Sequence, residues 1–128
     1  MFENLQVFRM AQAMAVHAGT RQSLVARNMA NADTPGYSAR DIPAFAKLMQ
    51  TASSRFDLRA TRGSHLNTTD QPFAALAYDR AAERDPNGNS VSLETEMMHA
   101  VNTRRQHDRA LAIYKSSLSV LRSAIGTR

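Results

Sequence analysis

The sequence predicts an all-α fold in which two long terminal helices form a coiled-coil-like, elongated subunit with a small irregular middle segment. The chain has 128 residues, which is enough for one domain or for two long helices and an insert. Aromatic residues make up only 6% and tryptophan is absent, so Ala, Leu, Val and Met supply much of the apolar surface. Apolar residues also recur at helical spacing near both termini. These three observations favour helix-on-helix packing over a thick core.

The first helix is expected within residues 1–32. Its apolar side chains fall on two adjacent heptad stripes, which are interrupted by His17, Arg21, Gln22 and Asn28. The stripes contain Val7, Met10, Met14 and Leu24 on one side and Phe8, Ala11, Ala15, Ala18, Val25 and Met29 on the other. We expect a partly polar seam, and the helix-packing candidates are Val7, Met14, Leu24 and Val25.

Residues 33–50 are predicted to form a turn followed by an extended segment. Thr34 precedes a proline, Pro35 fixes φ, and Gly36 can supply the positive φ that a type II turn requires. Asp33 can form an Asx turn, and Asn28 and Asn31 can bond carbonyls left open at the helix end. The chain should therefore leave the helix in one direction. The candidate assembly residues of this motif are Asn28, Asn31, Asp33, Thr34, Pro35, Gly36, Tyr37, Arg40 and Asp41.

The middle segment, residues 51–90, is rich in Thr, Ser, Asp, Arg and Asn and should be mostly loop. Residues 72–84 suggest one short helix, and no repeated β-hairpin pattern is present. Residues 85–89 form a strong turn signal that returns the chain to the second long helix. Six apolar residues could anchor a small lobe here: Phe56, Leu58, Leu66, Phe73, Leu76 and Tyr78.

The second long helix is expected within residues 91–128, with its apolar pattern over 93–125. Ser92 can cap its start, and Glu94 and Glu96 suit the positive end of its dipole. A single helix pair would leave the far side of each apolar face in water, so neighbouring subunits are expected to cover it. The helix-packing candidates are Met97, Val101, Leu111, Leu118, Leu121 and Ile125.

Chemistry beyond packing finds little support in the sequence. Cysteine is absent, which excludes disulfides and thiolate metal sites. The four histidines lack the three- or four-residue spacing of helical metal ligands, and neither a nucleophile elbow nor a phosphate-binding glycine loop occurs. We expect no enzyme activity, no cofactor, no metal and no small-molecule substrate. No stretch is long and apolar enough to cross a bilayer, and polar residues interrupt the N-terminal apolar run, so no cleaved signal peptide is expected.

The positive charge of the chain suggests the main alternative function. The net charge of +5 and the pI near 10.4 are compatible with a basic helical nucleic-acid-binding protein. However, no aromatic stacking residues accompany the cations, which are scattered around the helices. An export chaperone is a third possibility.

Two blocks of the sequence resemble a known family. Residues 28–37, continued by residues 38–42, resemble the N-terminal signature of the bacterial flagellar axial proteins, and the continuation is most similar to the basal-body rod protein family of the proximal rod. Residues 88–97 resemble the segment that opens the C-terminal helix of this family. Ser92 and His107 depart from the acidic residue and the tyrosine that the family usually has at these places.

The resemblance implies a structural subunit that assembles helically through its terminal helices into the torque-transmitting proximal rod. The implied partners are copies of the chain itself, other rod proteins, the rod-to-ring adapter and the export apparatus, with no nucleic acid. The implied location is the basal body within the periplasmic space, after export by the flagellar type III apparatus.

Overall fold

The structure, a computed structural model, describes residues 2–53 and 75–126. Its elements are α1 (Phe2–Ala30), β1 (Arg40–Asp41), α2 (Phe45–Ser53), β2 (Tyr78–Asp79) and α3 (Leu93–Ile125). At 29 and 33 residues, α1 and α3 are about 43 Å and about 50 Å long. The predicted all-α fold with two long terminal helices is confirmed.

The two long helices run antiparallel. Asn28 near the end of α1 bonds Glu96 near the start of α3, whereas the Phe8 and Tyr114 rings meet edge-to-face at 5.1 Å near the other end. Small residues lie between the helices and permit close approach. The buried residues of this interface recur every seven positions, with Ala11, Ala18 and Val25 on α1 and Glu96, Thr103 and Ala110 on α3.

Most of the helix-packing candidates on α3 do not pack against α1 within the subunit. Met97, Val101, Leu111 and Ile125 are 55%, 60%, 40% and 83% exposed, although their spacing marks them as packing residues. Of the remaining candidates, Leu24 and Val25 are buried, Met14, Leu118 and Leu121 are partly buried, and Val7 is exposed. Because α3 has overlapping heptad patterns, periodicity alone cannot show which one faces α1. The small and polar pattern faces it.

The turn after α1 is formed as predicted. Gly36 has φ +72°, and the Tyr37 amide donates to the Thr34 carbonyl at 3.3 Å, as a type II turn requires. The expectation of an extended segment up to residue 50 is wrong, because α2 begins at Phe45. The amides of Lys47 and Leu48 donate to the Ala44 carbonyl, and the Phe45 ring packs against His17 at 5.6 Å.

The middle segment contains a strand where a helix was expected. β2 pairs antiparallel with β1, placing Tyr78 opposite Asp41, and the helix predicted over residues 72–84 is absent from residues 75–84. Leu76 and Tyr78 are exposed and anchor no lobe. The other predicted anchors, Phe56, Leu58, Leu66 and Phe73, lie outside the described residues.

The second predicted turn is confirmed. The Gly88 amide donates to the Asp85 carbonyl at 2.7 Å, and Gly88 has φ +80°. Ser92 then caps α3 by accepting from the Thr95 amide at 3.5 Å. Within the described ranges, no helix is long and apolar enough to span a membrane.

Candidate functional site

A cluster of polar side chains joins the end of α1, the β1–β2 pair and the start of α3. We call it the polar junction, and it consists of Arg21, Asn28, Asp41, Arg80 and Glu96. Asn28 and Glu96 are fully buried and Asp41 is nearly so. Buried polar groups are tolerated only when they are paired, so this cluster fixes how its four elements meet.

Asn28 is the centre of the polar junction. Its amide nitrogen donates to the Arg40 carbonyl at 2.9 Å and to Glu96 Oε2 at 3.1 Å. Its amide oxygen accepts from the Arg40 backbone amide at 3.0 Å and from the Tyr37 hydroxyl at 3.2 Å. The side chain thus uses both donors and both lone pairs. One residue therefore ties α1 to β1 and to α3.

Arg21 holds β1 against α1. Its Nε and Nη2 donate to the two carboxylate oxygens of Asp41 at 2.9 and 2.8 Å, which is the strong bidentate arrangement. Burial raises the pKa of Asp41, but the hydrogen bonds from Arg21 and from the Ile42 amide, with the charges of Arg21 and Arg80, bring it below its ordinary value. The hydrogen bond to Asp41 in turn raises the pKa of Arg21. The pair is therefore ionised at neutral pH.

Arg80 supplies the counter-charge for Glu96. Its Nη2 lies 2.8 Å from Glu96 Oε1, and its Nε lies 4.0 Å from Asp41 Oδ2. The Arg80 N–H bonds do not point directly at these oxygens, so the contact is an ion pair without a well-directed hydrogen bond. Since the Glu96 side chain is fully buried, its charge depends on Arg80 and on Asn28. The middle segment is thereby linked electrostatically to the helix pair.

Asn89, which lies more than fifty residues later in the chain, caps the turn that follows α1. Its amide nitrogen lies 3.0, 2.7 and 2.8 Å from the carbonyl oxygens of Asn31, Ala32 and Thr34. Its amide oxygen accepts from the Val91 backbone amide at 2.7 Å. These carbonyls belong to the turn that follows α1 at Ala30, and a buried amide satisfies them in place of water.

The two glycine turns lie against each other beside this cap. The Gly36 amide donates to the Asn87 carbonyl at 3.0 Å, and the Ser90 amide donates to the Tyr37 carbonyl at 3.0 Å. A Cβ on Gly88 would lie 3.4 Å from Gly36 Cα. The segment that leaves α1 and the segment that enters α3 are therefore paired along their backbones.

The structure brings together some of the predicted motif residues and not others. Asn31 bonds the Arg27 carbonyl of its own helix as expected, at 2.8 Å, whereas Asn28 bonds β1 and α3 instead of helix-end carbonyls. Asp33 is exposed and its carboxylate has no hydrogen-bond partner among residues 2–53 and 75–126, so the Asx turn expected there is not formed. The exposed Arg40 side chain contacts Asp79 at 3.5 Å.

Sequence reasoning missed four functional positions: Arg21, Arg80, Asn89 and Glu96. Arg21 was assigned only as an interruption of the seam, and Glu96 only as a charge near the helix dipole. A signal for Glu96 was present, because it lies seven residues before Thr103 and fourteen before Ala110, on one face of α3. No comparable periodic signal marks Arg80 or Asn89, which lie outside the helices.

Large apolar side chains on α3 form a second feature of the molecule. Around the start of the helix, Met97, Met98, Val101, Asn102 and Arg105 line a shallow open groove. Other exposed apolar residues continue along α3 to its end, namely Leu111, Ile113, Tyr114, Val120 and Ile125. A run of this length is unusual for a surface that faces only water.

The His17 side chain is packed inside the subunit. It is buried, and its Nε2 donates to the Pro43 carbonyl at 2.8 Å, which places the ring proton on Nε2 because a carbonyl can only accept. In the part of the chain that the structure describes, no group of three or more His, Cys, Asp or Glu side chains is placed to hold a metal ion.

The chain is similar to flagellar basal body rod proteins from several bacteria. The flagellar basal body rod protein FlgB of Agrobacterium fabrum is 31% identical over 116 residues, covering 88% of this chain and 87% of that protein. The protein of the same name from Cereibacter sphaeroides is 36% identical over 123 residues, covering 90% and 89%. That from Escherichia coli is 34% identical over 116 residues, covering 80% and 83%. No family model matches the chain.

Proposed function

Since the chain belongs to the family of the flagellar basal body rod protein FlgB and is a structural subunit of that rod, we propose that it assembles helically through its two terminal helices in the proximal rod. Assembly, without turnover of a substrate, is then its mechanism. Rigid packing of these helices would let the rod transmit torque.

The exposed apolar side of α3 is the observation that carries this proposal. Within the subunit, α1 packs on small and polar residues of α3, while Met97, Val101 and Leu111 stay more than a third exposed. Burying such side chains stabilises a contact by about 1.5–3 kcal/mol each when burial is complete. Neighbouring subunits would supply that burial.

The polar junction supports the proposal from inside the subunit. A subunit that joins a helical lattice must present its helices at one angle. Hydrogen bonds from Asn28 and ion pairs through Arg21 and Arg80 set the direction in which the chain leaves α1 and enters α3. Polar groups of this kind favour one register over others, because a misplaced pairing leaves a buried charge unpaired.

Export and location follow from the same family membership. We infer export by the flagellar type III apparatus, residence in the rod within the periplasmic space, and contacts with other rod proteins and the rod-to-ring adapter. Retention of the N-terminal segment is supported by its packing, because Phe8 contacts Tyr114 and Ala11 is buried against α3. Neither the relatives nor the described structure supports the nucleic-acid-binding alternative.

A substitution on the exposed side of α3 tests the proposal. Leu111→Asp should lower the unfolding free energy of the subunit by about 1–2 kcal/mol, because Leu111 is 40% exposed and loses only part of its burial. In a rod, the same charge would be placed against apolar neighbours at a cost of several kcal/mol. Leu111→Met keeps the apolar contact and is the matched control.

Both variants would be produced in a strain that lacks the native subunit, with secreted protein, completed basal bodies and swimming measured side by side. We expect normal secretion from both variants, with rods from Leu111→Met only. Normal rods and swimming in Leu111→Asp would show that this side of α3 is not an assembly surface.

A further inference from the structure

Two overlapping heptad seams run along α3. The inner seam faces α1 and is formed by Glu96, Ala100, Thr103, His107, Ala110, Tyr114, Ser117 and Leu121, which are small, polar or shared. The outer seam shares Ala100, His107, Tyr114 and Leu121 with it and adds Leu93, Met97, Arg104, Leu111, Leu118 and Ile125. Each follows the alternating three- and four-residue spacing of a coiled coil. One helix can therefore contact two partners side by side.

The outer seam has the larger side chains and no partner within the described residues for most of its length. Leu93, Met97 and Ile125 are at least half exposed, whereas Leu118 is partly buried. In coiled coils, large aliphatic residues at this spacing insert between four residues of a facing helix. The outer seam thus has the chemistry expected for a helical partner.

Charges along the outer seam are mainly positive. Arg104 occupies a central position of the seam and is exposed. The flanking positions, four residues after each of Met97, Arg104, Leu111 and Leu118, hold Val101, Asp108, Lys115 and Arg122. Glu94 begins the same flanking row at the start of α3. From Arg104 onward, three cations accompany a single acid, and a facing helix with carboxylates at its flanks would be complementary there.

The chain's own helices do not meet that requirement. Helix α1 has three arginines, Arg9, Arg21 and Arg27, and one acidic residue, Glu3 near its start, and Arg9 and Arg27 are exposed. On α3, Glu94 is exposed in the first turn, Glu96 is buried, and Asp108 is the only acid after them. A second copy laid on the outer seam would face cation with cation, which is unfavourable at close range.

We propose that the outer seam of α3 binds an amphipathic helix with acidic flanks from a different protein, and that it does not bind α1 of a second copy. This inference rests on the proposed rod function, since it assigns the kind of neighbour that covers one assembly surface. Apolar residues at the centre of the seam favour a peptide helix over a phosphate backbone, because phosphates gain nothing from Leu and Met contacts. Arg104 selects a partner with a carboxylate at the facing position.

Peptide binding to the full chain tests this proposal. The first probe is a fluorescent amphipathic helix about four heptads long, with Leu at the three-four spacing and Glu at the flanking positions. The second probe has Lys for every Glu, and the third is residues 2–30 of this chain. Binding is measured by fluorescence anisotropy at low and high salt. A duplex DNA probe of similar length is included.

We expect the Glu probe to bind at least about tenfold more tightly than the Lys probe at low salt, with the difference shrinking at high salt. Arg104→Glu should abolish or reverse the preference. Arg109→Glu makes the same charge change on α3 outside the outer seam, and it should leave the preference nearly unchanged. Circular dichroism of both variants checks that they are folded.

Tighter binding of residues 2–30, of the Lys probe or of the DNA would overturn the proposal, as would equal effects of the two charge reversals. Swimming of a deletion strain that carries the wild-type chain tests the rod function separately. Restored swimming together with a preference for residues 2–30 would leave the rod function intact and refute the acidic partner. Binding of the Glu probe without restored rods would refute the rod function alone.

Discussion

Replacing Arg80 with methionine should destabilise the folded subunit by about 3 kcal/mol, because it removes the counter-charge of a buried carboxylate. Glu96 is fully buried, and its charge is held by Arg80 at 2.8 Å and by Asn28 at 3.1 Å. Removing one partner of a buried ion pair costs about 3–5 kcal/mol. The lower end of that range applies here, because the Arg80 side chain is 19% exposed and Asn28 still bonds Glu96.

A second substitution isolates the charge. Glu96→Gln keeps an oxygen that accepts from Asn28 but removes the buried charge, so Arg80→Met should cost much less in the Glu96→Gln background. We expect a coupling free energy of about 2 kcal/mol from the double-mutant cycle. Glu96→Gln alone should be mild, because Arg80 is partly exposed and has Asp41 at 4.0 Å.

Chemical denaturation followed by circular dichroism supplies the four free energies of unfolding. Arg109→Met, on an exposed arginine, controls for the loss of a surface cation and should change stability by no more than about 0.5 kcal/mol. Additive effects of the Arg80 and Glu96 substitutions would refute the argument. So would a loss in Arg80→Met as small as that of the control.

Three further predictions concern the turns and the polar junction. Gly36 has φ +72° and open space where a Cβ would lie, so Gly36→Val should destabilise the subunit by about 1–3 kcal/mol through backbone strain alone and should impair rod formation. Gly36→Asn should be milder, and secretion should be unaffected in both variants. Equal basal-body counts for the two variants would exclude this mechanism. The pKa of Asp41 in the folded subunit lies below its ordinary value of 3.8. The ionised Asp41 side chain therefore stabilises the fold fully at pH values above 3.8, and this stabilisation is lost as the pH falls through the pKa of Asp41 in the folded state. The difference in unfolding free energy between wild type and Asp41→Asn should therefore vanish in strong acid, and a constant difference down to about pH 2 would contradict the assignment. Asn89→Ala leaves the Ala32 carbonyl and the buried Val91 amide without their hydrogen bonds and should cost about 2–4 kcal/mol in denaturation experiments, whereas the exposed-site control Asn102→Ala should cost almost nothing.

The long helices could be predicted because their signals are local and repeated. The apolar pattern of residues 93–125 and the Ser92 cap coincide with the bounds of α3, although the helix was assigned the wider range 91–128, and the proline and glycine after α1 marked where it had to stop. By contrast, α2 has only nine residues, and β1 and β2 have two residues each. Elements this short are set by tertiary contacts, such as that of Phe45 with His17, and leave almost no periodic signal.

The polar junction was harder to predict for a different reason. Its pairs join residues far apart in the sequence, such as Asn28 with Glu96, and no local pattern identifies which charge will meet which. Periodicity also could not choose between the two seams of α3, since both follow the same spacing. The seam with the small residues faces α1, because Ala18 and Ala110 permit a closer approach of the two helices than Met97 or Leu111 would.

The cap that Asn89 places on the turn after α1 also determines when this subunit can complete its fold. The carbonyls that it bonds lie 55 to 58 positions earlier in the chain. As the chain emerges from the ribosome, or during any passage that begins at its N-terminus, α1 and the turn after it are present long before Asn89. Contacts of such high sequence separation form slowly, since the intervening loop must close first. A chain that has delivered only its first 88 residues thus has an uncapped turn after α1 and no α3 to pair with, so the fold is completed late in transit.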